Sequence, residues 1–158
     1  MHDFGYHRPA SVSDVAGLLA KSSEAKIVAG GMTLIPTLKQ RLAQPSDLID
    51  LGGIAELKGV KAEGAGITIG AMTTHADVAR SAEVQKAIPA LAVLAGGIGD
   101  PQVRNRGTIG GSLANSDPAA NYPTLMMALD ATFTVALRMK LVDSSRPASG
   151  NWSPLPSK

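Results

Sequence analysis

Two glycine pairs, each followed by small polar residues, hold most of this chain's chemical potential. Gly30-Gly31 closes the apolar run Lys26-Ile27-Val28-Ala29 and leads into Met32-Thr33-Leu34-Ile35-Pro36. Far downstream, Gly110-Gly111 lies within Arg104-Asn105-Arg106-Gly107-Thr108-Ile109-Gly110-Gly111-Ser112-Leu113-Ala114-Asn115-Ser116-Asp117-Pro118. Glycine allows φ > 0 and a close approach of backbone to ligand. Successive exposed N–H groups in such a turn make a concave anion site. The side chains of Thr33, Ser112, Asn115 and Asp117 suit ribose or ribityl hydroxyls. Two such loops on one small chain fit a ligand with two phosphates, or one long enough to touch both. The plainer alternative is a tight strand-to-helix turn at Gly30-Gly31 and a surface loop at Gly110-Gly111. No G-x-G-x-x-G follows a strand and no G-x-x-x-x-G-K-[ST] occurs, so neither a Rossmann site nor a P-loop is supported. No nucleophile stands with a base and an orienting group, which leaves hydrolytic catalysis without support.

The elements that must position these loops are legible in outline. Ser11-x-x-Asp14 resembles a capping box ahead of a helix with Val12, Val15, Ala16 and Leu19 on one face. Lys26 to Ala29 reads as a buried strand delivering the first glycine turn. A helix should follow, with Pro36 in its first turn and Ile35, Leu38 and Leu42 facing inward. Leu48 to Leu51 and Gly66 to Gly70 read as strands. Thr74-x-x-Asp77 can cap another helix, and Pro89 to Ala95 gives an apolar one. Gly96 to Tyr122, rich in Gly, Asn, Asp and Pro, shows little periodicity and reads as a long loop, which in a compact domain is usually functional or disordered. Pro123 can start a helix using Leu125, Met126 and Leu129, with Met126 and Met127 in the core. Thr132 to Leu137 alternates as a half-buried strand would. The mixture makes the fold α+β or α/β.

Composition narrows the class. The 158 residues fit one domain, and with 44% hydrophobic but only 3% aromatic residues its core must be aliphatic. The lack of cysteine excludes a disulfide framework and any thiolate-held zinc or iron–sulfur cluster within the chain. His2, His7 and His75 show no metal-ligand spacing and read as surface or capping residues. No signal peptide or membrane span stands out, so the expected location is the cytoplasm. Residues 137–158 carry a net charge of +3, leaving residues 1–136 at −1. A nucleic-acid binder would concentrate basic charge on its folded body. Ser144 to Lys158, with five serines, three prolines and a single tryptophan, is expected to be a disordered tail.

From Phe4 to Ala136 the chain resembles the FAD-binding subunit of the molybdenum hydroxylases, the family of carbon monoxide dehydrogenase medium subunits and the flavin domain of xanthine dehydrogenase. The resemblance rests on Tyr6-His7-Arg8-Pro9-Ala10-Ser11, Ala29 to Pro36, Ile69-Gly70-Ala71-Met72-Thr73-Thr74-His75 and Gly99-Asp100-Pro101-Gln102-Val103 through Gly111. It implies an α+β FAD-binding domain of the vanillyl-alcohol oxidase and molybdopterin dehydrogenase type, incomplete at its C-terminus, over residues 1–136, with a divergent tail over 137–158. Family practice places the FAD pyrophosphate between Ala29, Gly30, Gly31, Met32, Thr33 and Leu34, with Val28 leading in, and Thr108, Ile109, Gly110, Gly111 and Ser112. By their own chemistry Asn115 and Asp117 suit sugar hydroxyls, and an Asp before Pro, as at Asp117-Pro118, is equally a turn former. Thr33 stands where the family usually has serine, and Asn121 where it usually has an aspartate near the flavin or ribityl chain. Arg104 and Arg106 could balance phosphate charge, although such arginines more often fix loops or face partners. The implied partners are a small iron–sulfur subunit and a large molybdenum subunit, with electrons leaving through FAD to a quinone, NAD or oxygen. A UDP-N-acetylenolpyruvoylglucosamine reductase-like flavoprotein and a truncated, non-catalytic remnant are the alternatives.

Overall fold

Ser11 starts the first helix as its spacing predicts. In the computed structural model, which describes residues 1–64 and 66–136, Ser11 Oγ accepts from Asp14 N at 3.1 Å and donates to the Asp14 carboxylate at 2.7 Å. Helix α1 (Val12–Lys21) follows strand β1 (Gly5–His7) and precedes β2 (Lys26–Val28), α2 (Leu34–Lys39) and β3 (Asp47–Asp50). The three strands are parallel in the order β1-β3-β2. Central β3 buries Leu48 and Ile49 in succession, as a parallel strand covered on both faces must. Strand β2 is an edge, so Ile27 is 43% exposed and the expected buried strand is corrected to a partly exposed one. In α2, Leu38 is buried, whereas Leu42 lies beyond the helix and is exposed.

Gly17 lies within α1, and a Cβ there would meet nothing within 4 Å. Glycine in a helix costs about 0.5–1 kcal/mol relative to alanine. Gly17→Ala is therefore expected to raise stability by about that amount, read as a higher urea midpoint with unchanged slope.

After two single 3-10 turns, a hairpin pairs β4 (Val60–Glu63) with β5 (Gly66–Ile69) in antiparallel register. Five helices follow before the last: α3 (His75–Arg80), α4 (Ala82–Ala87), α5 (Pro89–Gly96), α6 (Pro101–Arg104) and α7 (Ile109–Asn115). The final helix among the described residues is α8 (Asn121–Ala128). Thr74 caps α3 through Asp77 N, and Ser81, not anticipated from the sequence, caps α4 through Val84 N. Gly96 to Tyr122 is not a single loop. Asp100 caps α6 with Pro101 in its first turn, and Thr108 caps α7. Both helices are too short to display a hydrophobic period.

Two apolar clusters result. Val15, Ala25, Ile49 and Ile54 fill the one beneath the parallel sheet. Val78, Val84, Leu91, Ala95, Ile109, Tyr122 and Met126 centre the other, among the helices. Met127 is 83% exposed, so only one of the adjacent methionines is core. Residues 132–135 form no strand, Ala136 sits in a single β-bridge, and all five are exposed, while Leu137 and the predicted tail lie outside the described residues. Among the described residues no helix is long and apolar enough to cross a membrane.

Candidate functional site

The turn after β2 is built by a backbone approach. A Cβ on Gly30 would lie 2.1 Å from the Arg106 carbonyl oxygen and 2.8 Å from Gly107 Cα, so only glycine lets the two segments touch. Gly31 has φ of +74°, the conformation that glycine adopts at least cost, and its carbonyl accepts from Ile35 N at 3.0 Å. Val28 and Ala29 lead in half-buried, and Met32 and Thr33 are exposed. Among the described residues, the N–H groups of Gly30, Gly31, Met32, Thr33 and Leu34 donate to no backbone or side-chain acceptor. Thr33, at the start of α2, makes no side-chain cap, and its hydroxyl is also without a partner there. Five consecutive free donors are groups of the kind that an anion's oxygens can engage.

Thr108 to Ser112 is built differently. It is the first turn of α7, with Thr108 buried and its Oγ1 accepting from Gly111 N at 3.1 Å. Ile109 N donates to Thr73 O, Gly110 N to Ala71 O and Ser112 N to Thr108 O, all at 2.9–3.0 Å. These bonds stitch α7 to the segment before α3, where Thr73 Oγ1 is in turn bonded to Gly59. A Cβ on Gly110 would lie 2.6 Å from Ala71 Cβ, and one on Gly111 would lie 3.4 Å from Ala29 Cβ. The structure thus brings the two glycine segments together. Of their glycines only Gly31 has a positive φ; Gly30 and Gly110 are required by space.

His75 is buried, correcting its reading as a surface or capping residue. Its backbone N–H donates to Gly107 O at 3.0 Å, and its Nδ1 is 3.1 Å from the hydroxyl of Tyr122, which is fully buried. Nε2 faces Gly107, where a Cβ would come within 2.7 Å of it. Burial pushes the His75 imidazole below its usual range and the Tyr122 phenol above its own, so both are neutral near pH 7. The sequence concealed this pair because its two members lie 47 residues apart in the chain.

Asn115 and Asp117 sit at the far end of α7, and Asn121 begins α8. The side chains of Ser112, Asn115 and Asn121 have no partner among the described residues, while Asp117 accepts from Ala119 N at 2.8 Å. Among the described residues no hydrogen bond joins the side chains of Asn115, Asp117 or Asn121 to the Gly30 turn. An open groove of about 590 Å³ lies elsewhere, between β1 and α1, lined by Tyr6, Arg8, Asp14 and Lys21 among others. Among the described residues no cluster of His, Cys, Asp or Glu could hold a metal.

Residues 2–143 match the family described as FAD binding domain in molybdopterin dehydrogenase. The chain is 47% identical over 133 residues to the carbon monoxide dehydrogenase medium chain of Hydrogenophaga pseudoflava, covering 84% of this chain and 46% of that one. It is 42% identical to the nicotine 6-hydroxylase medium subunit of Paenarthrobacter nicotinovorans, covering 82% and 46%. The solved carbon monoxide dehydrogenase of Hydrogenophaga pseudoflava superposes with a TM-score of 0.82 at 48% identity over 84% of this chain and 47% of that one. The chain therefore spans about half the length of the curated relatives it matches.

Proposed function

The chain belongs to the family of FAD-binding domains in molybdopterin dehydrogenases, and from that premise we propose that it is the FAD-holding part of the medium subunit of a molybdenum hydroxylase. In this reading it works in a hetero-oligomer with a small iron–sulfur subunit and a large molybdenum subunit. When bound, the flavin supplies the redox chemistry that links those partners to a final electron acceptor. The chain's own residues bind and orient.

The observation that carries this reading is the row of free N–H groups from Gly30 to Leu34, set beside a backbone contact that a Cβ would fill. Such a cradle fits a diphosphate, whose oxygens accept from several N–H groups at once. The first turn of α7 packs beside this turn through Gly111 and Ala29, but its N–H groups from Ile109 to Ser112 are already bonded within the chain, so it would flank the diphosphate rather than donate to it. Free hydroxyl and amide groups at Thr33, Ser112 and Asn115 are of the right kind for sugar hydroxyls, and Asn121 is the proposed contact on the flavin side.

Titrating the full chain with FAD, followed by flavin fluorescence, tests the reading. FAD is expected to bind, and excess ADP to displace it, because the strongest anchors engage the diphosphate. Binding unaffected by ADP would put the anchors at the other end of the cofactor, and no binding at all would sink the proposal.

A further inference from the structure

Two buried side chains with no part in the cofactor reading press on the glycine turn from behind. Gly30 packs against the Arg106 carbonyl and Gly107 Cα, and Gly107 packs in turn against the His75 ring. A Cβ on Gly107 would lie 2.7 Å from Nε2 and 2.9 Å from Cδ2 of that ring. The His75 backbone N–H donates to Gly107 O at 3.0 Å, and a β-bridge joins the neighbouring Thr74 and Thr108. Gly107 is thus held to His75 by both backbone and ring. The ring is set in place by Tyr122, whose hydroxyl is 3.1 Å from Nδ1 and whose own ring lies 5.4 Å away, centroid to centroid. Tyr122 itself belongs to the core cluster of Val78, Leu91 and Ile109. An unbroken series of contacts runs from the buried side of α8 to the backbone of Gly30.

We propose that His75 and Tyr122 are a positioning pair, which fixes the shape of the Gly30–Leu34 turn through Gly107 and releases it when the His75 ring takes up a proton. The consequence for cofactor binding rests on the reading above, whereas the coupling itself does not. Nδ1 is committed to Tyr122, and Nε2 makes no hydrogen bond among the described residues. An imidazolium donates from both nitrogens, so the charged ring needs an acceptor or water on the Gly107 side. The surrounding elements offer no carboxylate. Helices α5, α7 and α8 carry no charged residue. Arg104 of α6 donates to Ile98 O and Gly99 O, and Arg106 is exposed. On α4, Glu83 accepts from Ser81 and Lys86 is exposed. On α3 itself, Asp77 is bonded to Thr74 and Arg80 to Asn105. Tyr122 is the titratable group in contact with the ring. Admitting water beside Nε2 moves Gly107, and that movement carries the Arg106 carbonyl off Gly30.

The first test needs no ligand. In the full chain labelled with nitrogen-15, the Gly30 and Gly31 amide resonances are expected to move in step with the His75 imidazole as pH falls below about 6.5, because burial depresses that ring. In His75→Gln they should stay still. Amides that do not move while the ring titrates, or a ring that stays neutral until the chain unfolds, overturn the proposal. The second test follows flavin fluorescence on folded chains. FAD is the probe because both its phosphates are esterified, whereas the terminal phosphate of ADP titrates near about pH 6. Affinity should fall roughly three- to tenfold over the His75 titration in the parent, and by a similar factor at pH 7 in Tyr122→Phe. His75→Gln should show no such pH dependence. A folded Tyr122→Phe chain that binds FAD within twofold of the parent at pH 7 also overturns the pair's role, and the turn's remains. Amides that track the ring in a chain that binds no FAD leave the coupling standing and sink the proposed function instead.

Discussion

A Gly30→Val chain is expected to lose FAD and ADP binding and to melt roughly 10 °C below the parent. The new Cβ would fall 2.1 Å from the Arg106 carbonyl oxygen and 2.7 Å from its carbonyl carbon. Both are backbone atoms, so no side-chain rotation relieves the clash. The two segments must separate, which takes the free N–H row away from α7. Overpacking of a tight site costs about 1–3 kcal/mol, and valine against backbone belongs at the upper end. At a few degrees per kcal/mol for a domain of this size, that gives the expected shift. Calorimetry gives the melting temperature and flavin fluorescence the binding. Retained ADP affinity at a parental melting temperature would mean that the 106–107 segment yields freely and the contact is incidental.

Tyr122 should be the other costly position. It is the largest of the fully buried side chains, and truncating a buried aromatic to alanine costs about 3–5 kcal/mol. Tyr122→Phe keeps the ring but removes the partner of His75 Nδ1, which should cost about 1–3 kcal/mol for an orphaned buried polar atom. The same pair fixes a pH window. His75 is depressed by burial from 6.5, so the unfolded chain takes up its proton first and stability falls as pH drops below about 6.5. Tyr122 is raised by burial from 10.0, so the unfolded chain loses its proton first and stability falls as pH climbs above about 10. Urea midpoints should therefore be highest between those limits. A His75→Gln chain should lose the acid-side decline that the parent shows, and a parent curve flat from pH 5 to 7 would remove His75 from the account.

What could be read from the residues alone follows the range of the interactions. Ser11, Thr74 and Asp100-Pro101 act through neighbours three residues away, and the first two were legible as caps because that geometry is local. Strand β3 was legible because Leu48 and Ile49 are both apolar and both buried. The first turn of α7 reads as loop in the sequence because it lies in a stretch rich in Gly, Asn, Asp and Pro. The Thr108 cap and the bonds to Ala71 and Thr73 override that propensity. The glycine turn itself was found, but its reason was only half visible. Positive φ applies to Gly31, whereas Gly30 is required by a strand-to-loop contact that no local pattern encodes. His75 and Tyr122 escaped for the same reason, as did the exposure of Ile27, which depends on β2 lying at the sheet's edge.

Gly30, Gly107, His75 and Tyr122 stand in one line of contacts, running from the second strand to the last helix. Contacts this distant in sequence form late, once long loops have been closed against their entropy. During synthesis the Gly30 turn leaves the ribosome well before Arg106, His75 and Tyr122 exist to shape it. A nucleotide seated there would reward the finished fold by mass action and could not seed it. On the proposed function, cofactor loading at such a turn would act as an inspection step, passed only by chains whose helix α8 has already docked.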